Sequence, residues 1–337
     1  MEQRNLNNEL YATRDFGRKL SDTIEFVRSN WRLLLRYEIY LLLPISVIMA
    51  FFTNNLVSDY SNLISALTGN GFVGTGLAGY GHASSHGEIL VWIANMLGSF
   101  LSYELAFVAL SALVYGVMHF FFFTDKNMSD LSFQDLKPKL WYFAKRSFIL
   151  SLVSLLLMVL ATVVLIVVFV GITFLFGAMR FAILPMYLMA VLAIIALTIP
   201  LLLVMPIYML EPECTVVDAY LKAFRLGLAT WGGVFAVTFV IGLVVSILQM
   251  VTTVPWYVMV FTKQLFTLTH QGDAGVTGSF LFSFTQYLFC ILECFGALVA
   301  STFSVVGITI QYGHAADKID GRGVAQHIDQ FDQFDNI

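Results

Sequence analysis

Charge is what this chain has least of. Asp, Glu, Lys and Arg make up 12% of its 337 residues, about half the share carried by a soluble domain. With 58% hydrophobic residues and 31 Phe, a soluble fold would lack the polar groups to cover its surface. A bilayer removes that requirement. Cysteine is also sparse. Cys214, Cys290 and Cys294 are the whole complement, none falls in an expected external loop, and no disulfide framework is implied. Cys290 and Cys294 read as small hydrophobes. The short alternating segments of a membrane β-barrel are missing. So are a Walker sequence, a nucleophile with a base beside it, and a basic surface suited to nucleic acid rather than lipid. The basic N-terminal segment does not read as a cleavable signal peptide.

What is there instead is a set of long apolar runs. Runs above about 18 residues read as membrane spans, and in lipid the backbone must satisfy its own hydrogen bonds, so these runs are expected as helices. Six are predicted, at 38–55, 98–123, 147–170, 182–208, 232–256 and 283–309. Ser147 to Met179 carries no charge over 33 residues, about 50 Å of helix. That exceeds a hydrocarbon core of about 30 Å, so such a helix must tilt or project into the interface. Residues 89–97 could form an external surface helix ahead of the second span.

The Lys and Arg residues alternate. Sixteen fall in the N-terminal segment, the second and fourth connections and the tail. Only Arg180 and Lys263 fall on the other side, and the loop 53–97 has none. The positive-inside rule then places both termini in the cytoplasm.

Each inward-to-outward span follows a basic amphipathic stretch. In the first, Phe16, Leu20, Ile24, Val27, Trp31 and Leu34 make a stripe, with Arg18, Lys19, Arg28 and Arg32 off it. In the second, Leu136, Leu140 and Phe143 lie beside Lys137, Lys139 and Lys145. In the third, Val217, Leu221, Phe224, Leu228 and Trp231 repeat the spacing beside Lys222 and Arg225. Ser132-x-x-Asp135 and Thr215-x-x-Asp218 read as capping boxes, and Pro212 closes the preceding span. The pattern suggests three repeats of a surface helix plus a hairpin. These are either ordinary juxtamembrane helices or a cytoplasmic collar for anionic headgroups or a partner.

The run Leu20-Ser-Asp-Thr-Ile-Glu-Phe-Val-Arg-Ser-Asn-Trp-Arg-Leu-Leu-Leu and the run from Val217 to Trp231 resemble an uncharacterised family of six-span bacterial membrane proteins. They are similar also to the membrane domain fused to some glycerophosphodiester phosphodiesterases. The hydrolase part of that fusion is absent here. The resemblance implies a bacterial inner-membrane protein and carries over no catalysis.

Several residues stand out inside the spans. Glu293 is the leading one, because an intramembrane carboxyl is costly and functional by default. The bland alternative is a protonated Glu bonding a neighbouring helix. Glu104 is expected near the outer edge of its span, by its distance from Phe123. Glu38 is expected at the inner interface, solvated by headgroup water or Arg36. Arg180 would anchor a helix end by snorkelling. Pro185, Pro200 and Pro206 break the fourth span, which would suit either a transport pathway or a packing kink. Gly296-x-x-x-Ala300 suits close helix packing, internal or dimeric. A lone GxGxxG at Gly69, Gly71 and Gly74 lacks the strand and helix of a dinucleotide site. His82, His86 and Glu88 sit among glycines that argue against a metal site.

The expectation is therefore an all-α membrane protein: a cytoplasmic N-terminal segment (1–36), a six-span domain (37–310) and a cytoplasmic acidic tail (311–337). It would bind no cofactor or metal. A lipid- or partner-binding scaffold or assembly factor, with a membrane protein or a second copy as partner, is the leading reading. A transporter using Glu293 and the broken fourth span is the alternative.

Overall fold

The computed structural model describes residues 9–69, 86–124, 131–176, 180–269 and 277–325. The described residues are helical, without strands. The elements are α1 (Phe16–Gly69), α2 (His86–Phe123), α3 (Phe133–Phe176) and α4 (Arg180–Thr198). A 3₁₀ turn (Ile199–Leu203) leads into α5 (Val204–Leu210). Then follow α6 (Val216–Ala229), α7 (Trp231–Thr269) and α8 (Phe280–Asp320). Among the described residues six helical stretches are long and apolar enough to cross a membrane, and each overlaps one of the six expected spans.

The helices outrun the apolar runs that announced them. At 41 residues, α8 is about 60 Å long, twice a hydrocarbon core. The basic stretches before the first and third spans are not separate elements, because α1 and α3 run through them unbroken. Only α6 is set off from its span. Residues 89–97 belong to the continuous α2. Residues 311–320, expected at the start of a polar tail, continue α8, and Tyr312, Ala315 and Ala316 are fully buried. Gly321 ends that helix with φ of 64°, its N–H bonding the Asp317 carbonyl at 2.9 Å, which glycine does without strain.

The chain divides into two compact units. Unit 1 is 1–34, 111–242 and 303–337; unit 2 is 35–110 and 243–302. The core of unit 1 gathers Leu203, Ile207 and Met209 around the broken span with Ala219, Ala223 and Leu226 of α6. Glycine at 227 lets α6 close on the break: a Cβ there would meet Pro200 Cα at 2.5 Å. In unit 2, α1 and α8 run antiparallel, as their cross-links show. Gln286 Nε2 donates to Asn54 Oδ1 at 2.9 Å, Cys290 Sγ to the Ala50 carbonyl at 3.6 Å, and Thr302 Oγ1 to Glu38 Oε1 at 2.7 Å. A Cβ at Gly296 would meet Thr252 Oγ1 at 2.4 Å, and Ala300 is buried. The Gly296-x-x-x-Ala300 pair thus serves packing within unit 2.

Candidate functional site

The third amphipathic stretch becomes α6 through its own cap. Thr215 accepts from the Asp218 N–H, and the Asp218 carboxylate accepts back from the Thr215 N–H. Two otherwise orphan donors are satisfied in this way. The face toward the core is small: Ala219, Ala223 and Gly227 with Leu226. The bulky stripe of Val217, Leu221, Phe224 and Leu228 faces outward, the first two 67% exposed. Trp231, next in that stripe, repairs the broken fourth span. Pro200 has no N–H to give the Ala196 carbonyl, and the Trp231 indole donates to that oxygen instead at 2.9 Å.

Beside α6 lies a dense polar network. Glu211 is its centre. Lys222 Nζ donates to both carboxylate oxygens at 2.8 and 3.1 Å, the Tyr312 hydroxyl donates to one at 2.5 Å, and Arg322 pairs with the other at 2.9 Å. Burial opposes ionisation of Glu211, yet the bonds from Lys222 and Tyr312 and the charges of Arg322 and Lys222 outweigh it. Its carboxyl is held below the usual range. Asp320 joins in, 3.5 Å from Lys222 and 2.7 Å from Arg225. Burial and the nearby Glu211 and Asp218 push the Cys214 thiol up. A cavity of about 690 Å³ opens here, walled by Glu211, Glu213, Cys214, Lys222, Arg225 and Arg322 among others.

Arg146 serves a different purpose from the charge counted in the sequence. Its guanidinium donates to the carbonyls of Tyr208, Pro212, Glu211 and Cys214, the last three at 2.9, 2.9 and 3.2 Å. These include the orphan acceptors at the end of α5. Arg146 also lies 4.1 Å over the Tyr208 ring. At the chain's start, Arg14 pairs with Asp22 at 2.7 Å and donates to the Leu10 carbonyl at 2.9 Å. That segment is clamped on α8, since a Cβ at Gly313 would meet the Leu10 carbonyl oxygen at 2.2 Å.

The collar residues therefore divide. Arg18, Arg28, Trp31, Arg32, Lys137 and Arg225 are exposed, with the Arg32 guanidinium 5.8 Å over the Trp31 ring. Lys19 is buried, 5% exposed. Lys222 belongs to the Glu211 network. Lys139 Nζ sits 3.2 Å from His119 Nε2.

Unit 2 holds its ionisable groups differently. Contrary to expectation, Glu38 is neither solvated by water nor paired with Arg36. It is 2% exposed, bonded by Thr302, while Arg36 faces outward. Among the described residues no cation pairs with it. Glu104 Oε2 is buried without a hydrogen-bond partner. The phenol of Tyr103, one residue before Glu104, lies within electrostatic reach of Glu293, Cys290 and Cys294. Cys290, Glu293 and Cys294 bring their donor atoms within 4.8 Å of one another. Pro185 is exposed on α4, whereas Pro200 and Pro206 are buried in unit 1. Glu293 and the proline break thus belong to different units. The glycine-rich segment with His82 lies outside the described residues, as do the side chains of His86, Glu88 and Arg180.

Sequence reasoning missed Glu211, Tyr312 and Arg322. Their signal is faint: an acid just after an apolar run, opposite a basic helix. No family model, curated protein or solved structure matches the chain.

Proposed function

We propose that this chain is a non-enzymatic scaffold of the bacterial inner membrane. It holds anionic lipid on the cytoplasmic side, where both termini lie. The observation that carries the reading is α6: a capped helix that turns its small residues inward and its bulky apolar stripe outward. A helix built this way lies at the headgroup level, its stripe among acyl chains and its cations toward phosphates. Arg225 and the cavity beside Lys222 offer a headgroup-sized recess, and Arg18, Arg28, Arg32 and Lys137 extend the basic surface. Fifteen of the sixteen Lys and Arg residues expected on the cytoplasmic side, all but Arg36, belong to unit 1, which supports an anionic-lipid surface on that unit. The test is native mass spectrometry from nanodiscs of mixed lipid. The wild type retains anionic lipid, and replacing Arg28, Arg32, Lys137 and Arg225 with Gln releases it. Unchanged retention contradicts the reading.

A transporter is the second reading. It is favoured by Glu38, Glu104 and Glu293, three carboxyls within the span-forming helices of unit 2. The proline break no longer adds to it, because Trp231 and Gly227 fill that break. Flux through reconstituted vesicles that disappears in Glu293→Gln, with expression and Tm intact, would replace the scaffold.

A further inference from the structure

We propose that Cys290, Glu293 and Cys294 of α8 form a binding site for a thiophilic d10 metal ion, Zn(II) or Cu(I). The spacing puts all three on one helix face, and their donor atoms lie within 4.8 Å of one another. Cys294 lies within interaction distance of both Cys290 and Glu293, so the donors already converge. Zn–S bonds of about 2.3 Å set tetrahedral donors about 3.8 Å apart, which small side-chain rotations reach from here.

The same geometry excludes the other use of two buried cysteines. Residues four apart on an unbroken helix hold their Cβ atoms about 5–6 Å apart, and a disulfide needs about 3.5–4.5 Å. α8 is unbroken across them. The thiols are therefore kept for something other than each other. Both are buried, at 0% and 1% exposure, in a unit whose acids outnumber its bases. Glu38, Asp59, Glu88, Glu104, Asp273 and Glu293 stand against Arg36 and Lys263. An arriving cation meets no competing positive charge on the described residues around the cluster.

Binding is a proton exchange. With Zn(II) both thiols lose their protons to solvent as the sulfur–metal bonds form, with Cu(I) one thiol does and the other binds protonated, and no electron moves. Two thiolates cancel the charge of Zn(II), and one thiolate cancels that of Cu(I). Either gives a neutral centre, which an apolar surrounding favours. Glu293 keeps its proton and adds a carbonyl oxygen donor, and soft sulfur ligands select these ions over Mg(II) or Ca(II).

The experiment uses the full chain, reduced and metal-free, in nanodiscs, titrated with Zn(II) and separately with Cu(I) against chromophoric chelators. The wild type binds one equivalent of one ion, and Cys290→Ser with Cys294→Ser loses it. Failure to bind either ion overturns the proposal, as does equal binding by the double variant. A readout on the wild type guards against a variant that does not fold. With metal bound, N-ethylmaleimide must leave Cys290 and Cys294 unmodified while still modifying Cys214. Modification of the pair at an unchanged rate overturns the site.

Discussion

The two units of this molecule spend their ionisable groups in opposite ways. In unit 1 almost every described polar charge near α6 is answered. Glu211 meets Lys222 and Arg322, Asp320 meets Arg225, Arg14 meets Asp22, and Arg146 meets four carbonyls. In unit 2 Glu38 has one hydroxyl, Glu104 keeps a buried oxygen without a partner, and Glu293 has a thiol. Packing does not explain the contrast, because both units close helices on glycine. The difference teaches where charge holds structure together and where it remains available. A carboxylate ringed by cations is locked into a fold, since removing it strands the cations. A carboxyl bonded by one hydroxyl can be neutral, and its loss strands little.

The largest break in the comparison should come from Glu211→Gln. Lys222 and Arg322 would be left around a neutral amide, at a cost of about 2–3 kcal/mol, read as a clear fall in Tm in nanodiscs. The pH dependence follows from sign. The folded Glu211 carboxyl titrates below its ordinary value of 4.5. Its stabilisation is complete above about 4.5 and lost as the pH falls through the lower folded value. The Tm gap between wild type and Glu211→Gln should therefore be constant from neutral pH down to about 5 and shrink below. A gap that widens on acidification refutes the ion-pair account.

Gly227→Val and Gly296→Val sharpen the comparison by touching packing alone. Each added Cβ meets a neighbour at 2.5 or 2.4 Å, so each should cost about 2 kcal/mol by overpacking. Equal falls in Tm would show that the units differ in polar chemistry and not in tightness. Arg146→Lys ranks next. A single ammonium cannot serve four carbonyls, and the loss should be about 1.5 kcal/mol, measured by the same melts. Glu38→Gln is the smallest. Its amide oxygen accepts the Thr302 bond as the carboxyl did, and the change should stay under about 1 kcal/mol.

The spans were legible because hydropathy over about 20 residues is a local quantity. The start of α6 was legible too, since Thr215 and Asp218 form their capping box within four residues. What escaped was long-range. Thr302 lies 264 residues from Glu38, and Tyr312 lies 101 from Glu211. A linear reading left Glu38 to water and Arg36 because the apolar run starts there, whereas the fold buries it against Thr302. Arg146 entered only as a topology charge and Lys222 as a collar residue, whereas the fold uses one as a helix cap and the other as an ion-pair partner. Among the collar residues, Lys19 shows the same limit: its charge is visible in sequence and its burial is not.

The most direct measurement is the Tm of wild type, Glu211→Gln and Glu38→Gln, side by side in one nanodisc composition at neutral pH. The account predicts a clear fall for Glu211→Gln and almost none for Glu38→Gln. An equal or larger fall for Glu38→Gln would contradict it.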